Sequence, residues 1–259
     1  MTADNNFILT EKDGSETTIL TLNRPEKRNA LCIDLLKGLI AAVKEAEKDP
    51  AMRILIVRGE GPAFCSGLDL NEAADPTFAH KSAELIAQAL LALSGSRLVT
   101  IACVHGAAIA GGAGLMSACD MAVCSSDTKI GYPEPRRGLV AGLVMTFLRR
   151  QLRERDAREI LLTSEVFSAD RALAIGLVNR VVPTREDVFA EVRKLAEAVR
   201  QGGPRAIVAT KKLLAGLWPR AVKDDLDRAL SAHLEAKGSP EAAEGIAAFR
   251  EKRQPNWNS

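Results

Sequence analysis

Metal-ligand spacing is absent from this 259-residue sequence: its three histidines, His80, His105 and His233, stand far apart, with no HxxH pattern and no cysteine cluster. Its five cysteines (Cys32, Cys65, Cys103, Cys119 and Cys124) are odd in number and lack CxxC spacing. Several lie in apolar runs, as reduced core thiols do, which points to a reducing compartment. Neither GxxxxGK[ST] nor GxGxxG occurs, which disfavours a nucleotide hydrolase or a dinucleotide oxidoreductase. A charge excess is missing too: 35 Lys+Arg against 33 Asp+Glu give a formal +2, too little for a general attraction to nucleic acid. The opening MTADNNFILTEKDGSE has neither a basic n-region nor an apolar h-region, so the cytoplasm is the expected location. No exact repeat and no low-complexity linker interrupts the chain.

What is present is an alternation of short strands and helices. Thr17–Leu22 and Ile54–Val57 read as strands around a helical stretch from about Cys32 to Glu47, which has apolar residues at 32, 35, 36, 39, 40 and 43. Further strands are expected at Met121–Cys124, Lys129–Ile130 and Leu177–Val182, with helices after Phe78, Gly138 and Ala169. From Thr184 strand signals stop, and helical patterns run through 186–200, 204–216, 220–236 and 240–253. An α/β core followed by a helical tail is the class this order implies.

The apolar run from Val99 to Cys124 is long enough to be tested as a membrane span. Its content argues against one: Gly106, Gly111, Gly112 and Gly114 are too dense for a stable isolated helix, Asp120 is costly in lipid, and no aromatic or basic belt flanks it. It reads instead as a buried strand (Val99–Val104), a glycine turn over 106–112 and a short helix that continues through Leu115–Ala118.

Four pieces, in this order, resemble the crotonase (enoyl-CoA hydratase/isomerase) superfamily: Leu22-Asn-Arg-Pro-Glu-Lys-Arg-Asn-Ala-Leu31, Ala63-Phe-Cys-Ser-Gly-Leu-Asp-Leu70, the glycine-rich segment 105–120, and Glu244-Gly-Ile-Ala-Ala-Phe-Arg-Glu-Lys-Arg253. The resemblance implies an α/β fold, a crotonase-like spiral of ββα units with an all-helical C-terminal oligomerisation region. Residues 1–200 would form the core with the active site and 201–259 a trimerisation and capping region, giving a homotrimer or homohexamer. No cofactor is implied beyond coenzyme A as part of an acyl-CoA substrate, and no nucleic-acid or membrane partner.

By the same resemblance, the backbone N–H groups of Leu68 and Gly111 hold the thioester carbonyl oxygen. Such donors stabilise an enolate by roughly 3 kcal/mol each. Glu134, in Gly131-Tyr132-Pro133-Glu134, matches the family's acid/base glutamate; the blander reading is an ion pair with Arg136 or Arg137, and both arginines could instead recognise an acidic acyl tail. Gly114 stands where hydratases generally carry a second glutamate, so double-bond isomerisation is favoured over hydration. A hydratase-lyase using Glu134 alone, or a noncatalytic CoA-binding module, are the alternatives. Lys27 and Arg28, with Phe249 and Lys252 of the tail, are implied contacts for CoA. The stretch Asn71 to Lys81 is expected to cover the acyl pocket and Gly138–Leu148 to form its floor. His105, Asp69 and Asp120 are read as scaffolding, and Tyr132 as either pocket lining or packing.

Overall fold

Three of the four residues in Ile54-Leu-Ile-Val57 are β-branched, and all four are buried, the signature of a parallel strand covered on both faces. The computed structural model describes residues 6–73, 76–217 and 221–256, with side chains outside positions 70, 73 and 76–79. Among these, the chain runs β1 (Ile8–Lys12), β2 (Thr17–Leu22), α1 (Ile33–Lys48), β3 (Ile54–Gly59), α2 (Leu70–Ala73), α3 (Pro76–Gly95), β4 (Val99–Val104), β5 (Ala107–Ile109), α4 (Gly111–Ala118), β6 (Met121–Ser125) and β7 (Lys129–Gly131). It continues through α5 (Gly142–Gln151), α6 (Glu154–Thr163), β8 (Val166–Ser168), α7 (Ala169–Ala174), β9 (Arg180–Val182), α8 (Arg185–Arg200), α9 (Pro204–Gly216), α10 (Val222–Lys237) and α11 (Pro240–Glu251).

The main sheet has the order β1-β2-β3-β4-β6-β9; β1 is antiparallel to β2 and the remaining pairs are parallel. Strand periodicity divides its apolar residues between two cores. Leu20, Leu22, Leu55, Val57, Ala102 and Val104 face α1 and α3, while Ile19, Ile54, Ile56, Val99 and Ile101 face Val188, Val192 and Leu195 of α8. A second sheet, β5-β7-β8, stands apart from the first, and β5 leads directly into α4. The tail folds back: α10 packs on α5 and α3, and α11 lies against the turn at Glu134–Arg137. Arg53 ties the end of α8 to the sheet by donating to the carbonyls of Arg200, Val199 and Gly202 at 3.1, 3.2 and 2.5 Å.

The fold class is the one expected, with local differences. The turn expected over 106–112 contains β5, because Ala107–Ile109 pairs in register with Lys129–Gly131. The strand expected at Leu177–Val182 begins only at Arg180: the Leu177 N–H closes the end of α7 by donating to the Ala172 carbonyl at 2.9 Å, so the chain is still turning there. No helix of the described residues is long and apolar enough to cross a membrane.

Candidate active site

The two glycine loops are sewn together by backbone hydrogen bonds. Cys65 N–H donates to the Ala107 carbonyl at 3.0 Å, and the Cys65 carbonyl accepts from Ile109 N–H at 3.0 Å. Where they touch, no side chain fits. Gly67 has φ +92°, and a Cβ there would lie 2.8 Å from the Ile109 carbonyl oxygen; a Cβ on Gly112 would lie 2.8 Å from the carbonyl carbon of Cys65. Both positions therefore need glycine, the first for its left-handed backbone as well as for space. Leu68 forms a parallel bridge with Leu31 through Gly67 C=O and Asp69 N–H, at 2.7 and 3.0 Å. Strand alternation then turns the N–H of Leu68 itself away from Leu31. Ala110, buried at φ +52° and ψ −123°, reverses the chain immediately before α4 and makes Gly111 the first residue of that helix. The N–H of a first helical residue has no intrahelical partner, and it lies at the positive end of the helix dipole.

Leu68, Gly111 and Glu134 line one cavity of about 60 Å³, together with Ile86 of α3, Leu139–Val144, His233 and Lys237 of α10, and Ile246 of α11. Glu134 opens a short 3₁₀ turn ending at Arg137 and is only 8% exposed. Burial pushes its carboxyl up to about 7, against a smaller opposing pull from Arg137. Its Oε2 is buried without a hydrogen-bond partner, and among the described residues no ion pair joins it to Arg136 or Arg137. A carboxyl near half-ionisation at neutral pH, with one oxygen free, can both accept and return a proton.

The loop that carries Leu68 is braced by side chains. Arg24 donates from Nη1 to Asp69 Oδ2 at 2.6 Å and to the Ala30 carbonyl at 3.2 Å, and Asp69 Oδ1 accepts from Asn71 N–H at 2.9 Å. Asn29 Nδ2 reaches the carbonyls of Glu60, Ala63 and Phe64.

The enoyl-CoA hydratase/isomerase family profile matches residues 14–259. This chain belongs to that family. A Thermus thermophilus relative, provisionally assigned as an enoyl-CoA hydratase, is 35% identical over 260 residues, covering 96% of this chain and 100% of its own length. The crotonyl-CoA hydratase of Syntrophomonas wolfei is 32% identical, over 97% of this chain and 98% of its own. The crystal structure of an enoyl-CoA hydratase from Mycobacterium avium superposes with a TM-score of 0.86 at 32% identity, covering 97% and 99% of the two chains. The protein is thus an enzyme of the enoyl-CoA hydratase/isomerase family, a crotonase, with acyl-CoA thioesters as its substrate class.

The remaining predicted residues of this crotonase fall into two groups. Lys27 and Arg28 are exposed on a turn that supports the Ser66–Leu68 loop: the Arg28 carbonyl accepts from Ser66 N–H at 3.0 Å, and the Lys27 carbonyl from Ser66 Oγ at 3.3 Å. Phe249 and Lys252, at the end of α11, are exposed and do not line the cavity, but the Phe249 ring lies 4.4 Å beneath the guanidinium of Arg137, which does. Leu139–Val144 supplies cavity wall, while Thr146, Phe147 and Leu148 are buried in the core side of α5. Of the cover expected at Asn71 to Lys81, residues 73–79 lie outside the described side chains.

His105 donates from Nε2 to the Gly61 carbonyl at 2.9 Å, and Tyr132 is fully buried with its hydroxyl 3.4 Å from Ser117 Oγ and is not among the residues lining the cavity. Asp120 accepts from Thr100 N–H and from Lys211 Nζ, at 2.8 and 2.6 Å, so its cationic partner is a lysine of α9. His233 and Lys237 went unrecognised as cavity residues. On the sequence they are ordinary members of an amphipathic helix, and only the packing of α10 on α5 brings them to the site.

Proposed function

We propose that this crotonase moves the double bond of a 3-enoyl-CoA into conjugation, using one carboxylate. Ionised Glu134 takes a proton from C2. The negative charge spreads through the dienolate onto the thioester oxygen, where the N–H groups of Leu68 and Gly111 hold it. The protonated Glu134 then delivers the same proton to C4, leaving a 2-enoyl-CoA. Two donors at roughly 3 kcal/mol each account for a large part of the barrier lowering, and a carboxyl near 7 suits both halves of the transfer.

The observation that carries isomerisation over hydration is at Gly114. A Cβ there would lie 2.6 Å from Val144 Cγ1 and 3.5 Å from Leu90 Cδ2, so the close contact of α4 with α5 occupies the space a second acid would need. Among the described residues lining the cavity, Glu134 is then the one carboxylate. The alternative is hydration or hydration-lysis by Glu134 alone, which the name of the Syntrophomonas wolfei relative favours. Lys27, Arg28, Phe249 and Lys252 are proposed to contact CoA from the rim.

Residues 1–200 are proposed as the catalytic core and 201–259 as a capping and oligomerising region that builds a homotrimer or homohexamer in the cytoplasm. Val208, Leu213, Leu214 and Leu217 leave an apolar face of α9 open to solvent, which a second copy would cover.

The test mixes the enzyme with 3-enoyl- and 2-enoyl-CoA series and follows conjugation absorbance and mass. Isomerisation gains absorbance without a mass change, and water addition raises the mass. Inactivity of the wild type on every thioester, or α-proton exchange undiminished in Glu134→Gln, rejects the mechanism.

A further inference from the structure

The wall of the acyl cavity is more cationic than an apolar tail requires. Besides Glu134, its lining includes Arg137, so a guanidinium-bearing residue stands in the wall beside the acid group. His233 adds no fixed charge: its Nδ1 donates to the Val140 carbonyl at 3.1 Å, and burial lowers its pKa. The neighbouring arginine serves a different purpose, since Arg136 is exposed and donates from Nη2 to the Thr163 carbonyl at 3.0 Å.

Arg137 is held in place. Its guanidinium stacks on Phe249 at 4.4 Å, and α11 presses so closely on its backbone that a Cβ on Gly245 would lie 2.8 Å from the Arg137 Cα. Among the described residues no carboxylate pairs with this guanidinium. A partly buried arginine stacked on a ring, lining a cavity and forming no ion pair among the described residues, presents its planar donors to whatever enters. A methyl-ended tail would desolvate it without compensation, whereas a carboxylate would accept two parallel hydrogen bonds. Lys27 and Arg28, the proposed CoA contacts, do not line this cavity, which separates its positive charge from the CoA rim.

We infer that the acyl group ends in a carboxylate bound by Arg137: the substrate is the CoA thioester of an unsaturated dicarboxylic acid. This rests on the acyl-CoA reading above and narrows it.

The experiment is calorimetric titration of the full-length protein with two saturated acyl-CoAs of equal chain length, one ending in carboxylate and one in methyl, and with free CoA. Wild type is expected to prefer the carboxylate-ended thioester by about tenfold or more, the worth of a charged hydrogen-bonded pair. Arg137→Gln should bring the ratio close to one, and Arg137→Lys should keep part of it. A wild-type ratio of one, or a preference for methyl, overturns the inference and leaves the isomerase reading standing. Equal weakening of free CoA and both thioesters in Arg137→Gln also overturns it, because the guanidinium would then serve a CoA phosphate. Binding of none of the thioesters rejects both readings. The wild-type ratio decides the matter even if a variant fails to fold.

Discussion

Replacing Glu134 by glutamine separates the electrostatics of the site from its shape. The two side chains are nearly isosteric, but only the carboxyl ionises. Burial holds it at about 7, against an ordinary value of 4.5. Because the native state keeps this proton over a range where the unfolded chain has lost it, the native state binds more protons there, and stability falls as pH rises. The protonated group's contribution is fully present below pH 4.5 and is lost as pH climbs through about 7. At about 1.4 kcal/mol per pH unit, the gap between the two values amounts to ~3 kcal/mol. Glu134→Gln carries no such penalty. Its unfolding free energy relative to wild type should therefore rise by about 3 kcal/mol between about pH 4.5 and about pH 8, most of the change falling below pH 7. Chemical denaturation of both proteins at matched concentration, across that pH range, measures the difference. The same variant should lose α-proton exchange by at least about 10²-fold, as expected for removal of a general base. A stability difference that stays flat with pH would mean that Glu134 titrates as an ordinary solvated carboxyl, and the proton-shuttle argument would lose its basis.

Gly112→Ala forces a Cβ to 2.8 Å from the Cys65 carbonyl carbon, so it should cost about 2–3 kcal/mol in thermal or chemical unfolding. The loop separation it forces should also abolish exchange. Gly114→Glu alone should destabilise the protein against Val144, while Gly114→Glu with Val144→Ala makes room. Mass spectrometry of products should then show water addition absent from the wild type. Leu213→Lys with Leu217→Lys, both on the open face of α9, should reduce the mass seen by light scattering while leaving far-UV circular dichroism unchanged.

Much of the scaffold was legible because local chemistry and burial agree. The helix read from about Cys32 to Glu47 appears as Ile33–Lys48, since its apolar residues recur at helical spacing on the buried face. The central strands were legible because parallel strands covered on both sides are continuous apolar runs. β1 escaped notice: only Ile8 is buried in Ile8–Lys12, and an exposed edge strand carries no such run. β8 was missed likewise, being three residues whose pairing depends on β7.

At the site, the resemblance to the crotonases carried the reading: it singled out Leu68, Gly111 and Glu134, which line one cavity. Which groups share one cavity was decided by long-range packing. Asp120 pairs with Lys211, a residue of α9 some ninety positions along the chain. Arg137 and Arg136, adjacent in sequence, part company because a 3₁₀ turn projects successive side chains about 120° apart. His233 and Lys237 reach the cavity only because α10 folds back on α5, a contact between residues nearly a hundred positions apart. The sequence by itself determined the central strands, most helices and the glycine turns, since these follow from neighbours a few residues away. Tertiary structure alone decided the short edge strands, which groups line the cavity at Glu134 and the closure of the space at Gly114, because all depend on which distant elements pack together.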